Sequence, residues 1–419
     1  MLSFNHLWVI LCSALVMFMT PGLAFFYGGL ARRKNVAAIM TRCVTVMGLV
    51  GIIWVLWGYS IAFGPSVGGL FGNLDFVGLK GVLPGGGPGD TNSQTFMIFQ
   101  GMFAIITVAL VAGAFAVRMR FISFVLFVLL WVTIVYAPLA HWVWNSDGWL
   151  YILGSKDFAG GTVVHISSGV AALATAIILG PRLGFGKEEM RPHNTPFVLL
   201  GAGILWFGWF GFNAGSALAV NTDAVNAFVV TNIAASASIV TWITIARIFG
   251  EKPNLVGASS GAVAGLVAIT PASGFVGPMP AIIIGFGAGV FCYLAIHLIN
   301  KLNIDDAMAV FGVHGVGGTW GAIATGLFVG IGYAALDDGT SRILQVWYQI
   351  VGVLAAWGWS LVGTTLILFV LKYLPGIGLR ESTQLEEVGA DLSSQGPVSY
   401  THLRAHETRH DLVCRLLLE

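Results

Sequence analysis

Charge is what this sequence has least of. Only 9% of its 419 residues are Asp, Glu, Lys or Arg, whereas a water-soluble domain carries about 25%. That shortage excludes a water-exposed surface of ordinary kind, and no nucleic-acid partner is expected. Cysteine is scarce as well. Cys12, Cys43, Cys292 and Cys414 are scattered along the chain, which argues against a disulfide framework or a metal site and leaves packing as their role. No basic stretch precedes the first apolar segment, which is too long for the core of a cleavable signal peptide and reads as a membrane span. The net charge of +1 decides nothing by itself.

Apolar residues make up 57% of the chain, and the few charges are clustered. Uncharged intervals run 1–31, 43–74, 91–117, 121–146, 158–181, 192–222, 224–246, 253–300, 307–336 and 343–371. Each can hold a helix of about 20 residues, enough to cross the hydrocarbon layer. The interval 253–300 is too long for one crossing and is broken by Pro271, Gly274, Pro278 and Pro280, so it holds two. Eleven spans result, an all-α integral membrane fold in one domain over 1–375. With the N-terminus outside, the inner loops and tail hold Arg32, Arg33, Lys34, Arg42, Arg118, Arg120, Arg182, Lys187, Arg191, Arg247, Lys252, Lys301, Lys372 and Arg380, fourteen against the outer Lys80, Lys156 and Arg342. That asymmetry predicts an outside N-terminus and a cytoplasmic C-terminus.

A weak repeat links the fifth and tenth spans. Asp157 lies eight residues before His165 and Gly169 four after it, while Asp306 and Gly318 bracket His314 at the same distances. Five crossings per unit make spans 1–5 and 6–10 inverted halves, with an eleventh helix added. The glycine runs Gly201–Gly208 and Gly315–Gly321 have no preceding strand and read as close helix packing. The loop 64–93, rich in Gly and Pro, is expected to be irregular. Residues 376–400 read as a polar cytoplasmic region. The stretch 401–419, crowded with His402, Arg404, His406, Arg409 and His410, reads as a disordered tail foreign to the rest.

Ionisable groups inside a membrane are costly and mark pathways. Only His165 and His314 fall near mid-span. For either alone, a core histidine bonded to a neighbouring helix is an equal reading. Placed equivalently in inverted halves, they would meet near the midplane, where transporters hold substrate. Bis-histidine haem ligation is a further reading, although it needs a wide cleft. Asp157 reads as a helix cap that also presents negative charge at the outer mouth. The aromatic segments around Phe99 and Phe103, Trp142 and Trp144, and Trp206 to Phe212 are by composition packing or interface residues. Alternatively, their ring faces attract a poorly hydrated cation.

Four stretches carry a family resemblance: Pro21-Gly-Leu-Ala-Phe-Phe-Tyr-Gly-Gly-Leu30, Asp157-Phe-Ala-Gly-Gly-Thr-Val-Val-His165, Gly208-Trp-Phe-Gly-Phe-Asn-Ala-Gly-Ser216 and Val310-Phe-Gly-Val-His-Gly-Val316. With them the chain resembles the ammonium transporter (Amt/Mep/Rh) family over about residues 4–400, and Trp144 with Phe99 favours the Amt branch. The resemblance implies a homotrimer with a pore in each subunit, and a PII-type signal protein at the cytoplasmic face. It implies an outer cation site of Phe99, Trp144 and Ser216, a gate of Phe103 and Phe212, the pore histidines His165 and His314, and Asp157 as the supporting acid. Ammonium would be recruited, deprotonated and conducted as ammonia through an apolar pore. No enzymatic activity, cofactor or metal is expected, and the location is the cell membrane. Ala309 stands where many relatives carry an acid, and the ending 389–400 matches the family only in part. The competing readings are an ammonium sensor that transports little and a haem-binding membrane electron carrier.

Overall fold

Hydrocarbon offers no partners for backbone N–H and C=O groups, so a chain this apolar must satisfy them within helices. The computed structural model describes residues 3–115 and 118–395, and there the chain is mostly helical. In order, α1 is Phe4–Leu30, α2 Arg33–Phe63, α3 Gln94–Phe115, α4 Phe121–Leu153, α5 Gly161–Leu179, α6 Thr195–Gly215, α7 Thr222–Ile248, α8 Leu255–Ile269 and α9 Pro278–Lys301. The tenth helix, α10, runs Phe311–Gly315 and then Val316–Phe328, and α11 is Arg342–Tyr373. Among the described residues, nine of these are long and apolar enough to cross a membrane. The other two fall at the expected eighth and tenth spans. At 1.5 Å per residue, α8 reaches only about 22 Å, short of the roughly 30 Å hydrocarbon layer. The loop expected to be irregular contains a small antiparallel ladder, Ser66–Val67 with Phe71–Gly72.

The packing repeats itself. Helix α1 touches α2 and α3, as α6 touches α7 and α8; α2 touches α3 and α4, as α7 touches α8 and α9; α3 touches α5, as α8 touches α10. The two halves meet along α1 with α6 and where α5 crosses α10. Helix α3 is buried over 94% of its apolar stretch and α7 and α11 over 39%, so α3 is enclosed by the other helices and the latter two lie on the outside of the bundle.

The conformation of the connections follows the same repeat. A shift of 149 residues takes Asp157 to Asp306 and His165 to His314. It also takes Gly154 (φ 94°) to Asn303 (φ 56°) and Gly160 (φ 109°) to Ala309 (φ 54°), all in the left-handed region. Ala309 therefore occupies a backbone position that glycine fills in the first half, at a strain cost of about 1 kcal/mol or more. Cationic side chains gather with the polar tail at one end of the bundle, the basic end. Arg380 binds the Leu179 and Pro181 carbonyls, Lys34 the Glu386 carbonyl, and Asp391 accepts from the Ala37 and Ala38 amides (3.1 and 2.9 Å). The 401–419 tail lies outside the described residues.

Asp305 is the hub of this end. Its carboxylate takes bonds from Arg182 Nε (2.8 Å) and Nη2 (2.7 Å) and from Arg118 Nη1 (3.2 Å), and the Asp305 and Arg118 side chains are fully buried. Arg118 also binds the Gly180 and Ala114 carbonyls, so one ion cluster ties the loops after α3, α5 and α9 together. Burial alone would raise the Asp305 carboxyl, but the Arg182 bonds and the Arg182 and Arg118 charges outweigh it and hold it below the usual range. Asp305→Ala is expected to cost about 3–5 kcal/mol, because it strands a buried arginine, and to lower the unfolding midpoint in detergent. The folded-state value lies below the unfolded one of about 3.9. The carboxylate's contribution is therefore complete above that pH and is lost as the pH falls through the folded value, so wild type and variant should converge in acid.

Candidate functional site

The site is built where α5 crosses α10. Both helices begin with a π-helical turn, Gly161–Ile166 and Phe311–Gly315, a widening found often at functional positions. Each is opened by an aspartate. Asp157 accepts from the Gly160, Gly161, Thr162 and Val163 amides at 2.7–3.1 Å, and Asp306 from those of Val310, Phe311 and Gly312 at 2.8–3.2 Å. Several amide bonds to one carboxylate, at the positive end of a helix, are what let a charge sit this deep. Eight residues on, the imidazoles of His165 and His314 face each other with Nδ1 to Nδ1 3.2 Å and ring centroids 5.3 Å apart. Gly169 makes this approach possible: a Cβ there would stand 2.1 Å from the Gly315 amide nitrogen.

A column of rings leads from the opposite, aromatic end to this pair. Trp144 is half-buried; its indole N–H donates to the Asp157 carbonyl (3.0 Å), and its ring lies edge-on to Phe103 at 5.8 Å. Phe99 meets Phe103 edge-on at 4.9 Å. Phe103 and Phe212 stack at 4.2 Å, and Phe212 stacks on His165 at 6.0 Å. The Ser216 hydroxyl donates to the Phe212 carbonyl (2.9 Å), which leaves its lone pairs able to accept, and the adjacent Gly215 lies against the Phe99 ring edge. Phe99, Phe103 and Phe212 are each at most 1% exposed. Phe99, Trp144, Phe103, Phe212, His165 and His314 thus form one column, with Asp157 and Ser216 bonded against it, whereas Trp142 packs apart from it on Trp149 and Trp359. His165 Nε2 is buried and has no hydrogen-bond partner among the described residues.

On the basic end the pair is open. A cavity of about 550 Å³ reaches Val313 and His314 and is walled by Tyr27, Trp242, Tyr293 and Asp306.

The sequence profile of the Ammonium Transporter Family matches residues 7–400. An ammonium transporter of Bacillus subtilis (strain 168) is 46% identical over 400 residues, covering 93% of this chain and 96% of its own. The chain belongs to the ammonium transporter family. The Saccharomyces cerevisiae Mep2 crystal structure superposes with a TM-score of 0.84 at 39% identity, covering 91% of this chain and 88% of that one. A solved structure described as a sensor Amt protein reaches 0.87 at 33% identity, covering 93% and 98%. It is a family of transporters and not of enzymes, and the chain is a multi-pass membrane protein.

Haem ligation fails on geometry. Two axial nitrogens would stand about 4 Å apart with a flat macrocycle between them, whereas the imidazole nitrogens are at 3.2 Å and the rings touch. Sequence reasoning also missed supporting groups in this transporter. Trp209 stacks on His165 at 5.3 Å and donates to Thr270 Oγ1 at 2.8 Å. Its spacing of three from Phe212 was the available signal. Gln349 of α11 is buried and clamps the backbone of Lys156, accepting from its N–H at 2.6 Å and donating to its carbonyl at 2.7 Å. It thereby fixes the residue before Asp157, and nothing in the sequence marked it.

Gly169→Ala is expected to push α5 from α10. The backbone contact cannot yield as a side chain would, so the cost is about 1–3 kcal/mol. A melting midpoint in detergent equal to that of the native transporter would show that the helices are not in the contact described.

Proposed function

We propose that this protein conducts ammonium across the cell membrane by taking it up at Phe99, Trp144 and Ser216, deprotonating it above the Phe103–Phe212 pair and passing ammonia along His165 and His314. The observation that carries this reading is the pair of touching imidazoles beneath two stacked phenyl rings. A bare cation pays many kcal/mol to enter such an apolar passage and neutral ammonia far less. Ring faces and the Ser216 lone pairs can replace part of the lost hydration at the mouth. Between two Nδ1 atoms at 3.2 Å only one proton fits, so one ring donates and the other accepts. The unpartnered His165 Nε2 is then a position that ammonia or a proton can satisfy. Asp157 stays bound to amides and acts by holding Trp144 and the α5 terminus.

The basic end is cytoplasmic in this reading, as the basic-residue asymmetry favours. Residues 376–400 then lie inside, where a PII-type signal protein would dock. A homotrimer in membrane lipid is the working assembly proposed. A second reading, ammonium sensing with little flux, has the sensor Amt structure behind it. Binding without current in proteoliposomes would favour it.

Electrophysiology on solid-supported membranes tests both ends of the column. Trp144→Leu is expected to raise the half-saturating ammonium concentration roughly fivefold, equivalent to about 1 kcal/mol of cation–π attraction; an unchanged value rejects the aromatic mouth.

Replacing both His165 and His314 by alanine is expected to abolish discrimination between ammonium and potassium. Selective transport at wild-type current in that variant would reduce the two rings to packed polar residues.

A further inference from the structure

The 149-residue shift that superimposes the two histidines has a consequence at the basic end. It takes Trp144, thirteen residues before Asp157, to Tyr293, thirteen residues before Asp306. Trp144 is the aromatic wall of the outer mouth, and Tyr293 is an aromatic wall of the cavity that reaches His314. Trp242 lies edge-on to Tyr293 at 5.6 Å, and His297 packs against it at 4.3 Å. The Tyr293 hydroxyl is buried, and the Glu251 carboxylate is the polar group beside it.

The charges of the cavity are unbalanced. Of its four carboxylates, Asp305 is neutralised by Arg118 and Arg182, and Glu188 by Arg32 at 2.6 Å. Among the described residues, Glu251 has His297 (3.1 Å) and the Tyr293 hydroxyl beside it, and Asp306 has backbone amides. Two carboxylates without a lysine or arginine partner therefore share a cavity with aromatic walls. That chemistry suits a small monovalent cation with N–H donors, in a space large enough to leave it partly hydrated.

We propose that this cavity is a second cation site, facing inward, which takes ammonium or a small alkylammonium ion from the basic side through Asp306, Glu251 and the Tyr293 ring. The proposal rests on the transport reading above and adds a property to it: the two mouths recruit by different residues, so their affinities can be altered separately. The inner mouth has no counterpart of the Phe103–Phe212 stack, since the cavity reaches His314 directly.

The test measures ammonium-evoked current in right-side-out and inside-out membrane vesicles on a solid support, and forms the ratio of half-saturating concentrations, basic face over aromatic face. Glu251→Gln, at a half-exposed position that should tolerate the change, is expected to raise this ratio roughly fivefold. Asp306→Asn is expected to raise it further, and if that variant does not fold, Glu251→Gln decides alone. Trp144→Leu should move the ratio in the opposite direction. A Glu251→Gln ratio equal to that of wild type overturns the inward site while leaving the transport reading intact. Wild-type vesicles without ammonium current at either face would defeat both.

Discussion

The contact between the imidazoles of His165 and His314 sets the terms for everything around it. Two polar rings placed in the middle of an apolar bundle satisfy each other where they touch, since hydrocarbon offers them no partner. They can do so only if α5 and α10 cross at backbone contact, which requires Gly169 against Gly315. A crossing that tight, between helices of opposite orientation, in turn fixes how the halves are arranged. The α1–α6 seam and the repeated pairings of the outer helices surround it.

The same contact explains why the two aspartates lie where they do. A helix that starts within protein, eight residues from a buried polar pair, leaves several amides unbonded at its first turn. Asp157 and Asp306 take up those amides with carboxylates whose charge the helix ends welcome. A neutral cap would satisfy fewer amides, and a lysine would oppose the helix dipole. The caps therefore serve the fold first. Their negative charge near the two ends of the path follows from the same placement.

How much of this was legible in the sequence depended on which force left a mark there. Hydrocarbon excludes charge, so the uncharged intervals located the helices closely, and the clustered basics marked the common end that the Asp305 cluster later displayed. The match of Asp157, His165 and Gly169 with Asp306, His314 and Gly318 was visible as spacing, and the left-handed residues Gly154 with Asn303 and Gly160 with Ala309 extend it into backbone conformation. What escaped was whatever depends on which side chain a neighbouring helix presents. Trp209 differs from Trp206 only by a rotation about α6, and Gln349 looks like any polar residue in a span until Lys156 is seen against it. Asp305 and Asp306 are adjacent acids. One is held by arginines and the other by amides, and only the fold separates these roles. The Ser66–Val67 ladder was too short to leave a pattern.

Inverted repeats built from one ancestral design would be expected to give two similar mouths, yet the two have diverged in the residues that close them. On the aromatic end, Phe103 and Phe212 stack across the path and separate His165 from the mouth; on the basic end, the cavity runs to His314. In the transport reading proposed above, a closed aromatic end with an open basic end is what selection by desolvation demands. The step that strips a cation must come before the histidines on the side where competing cations are met, and an equal barrier on the far side would only slow release. The substitution of Ala309 for the glycine at the equivalent turn fits the same logic. The turn keeps its left-handed backbone but presents a methyl group to the cavity, and it adds no charge to hold the ion that leaves. Under the inward-site proposal, retention at the basic end falls to Asp306 and Glu251, whose negative charge borders an open cavity and is not focused beneath a ring. Attraction without capture is the balance a conducting path requires, and here it is reached differently at each end.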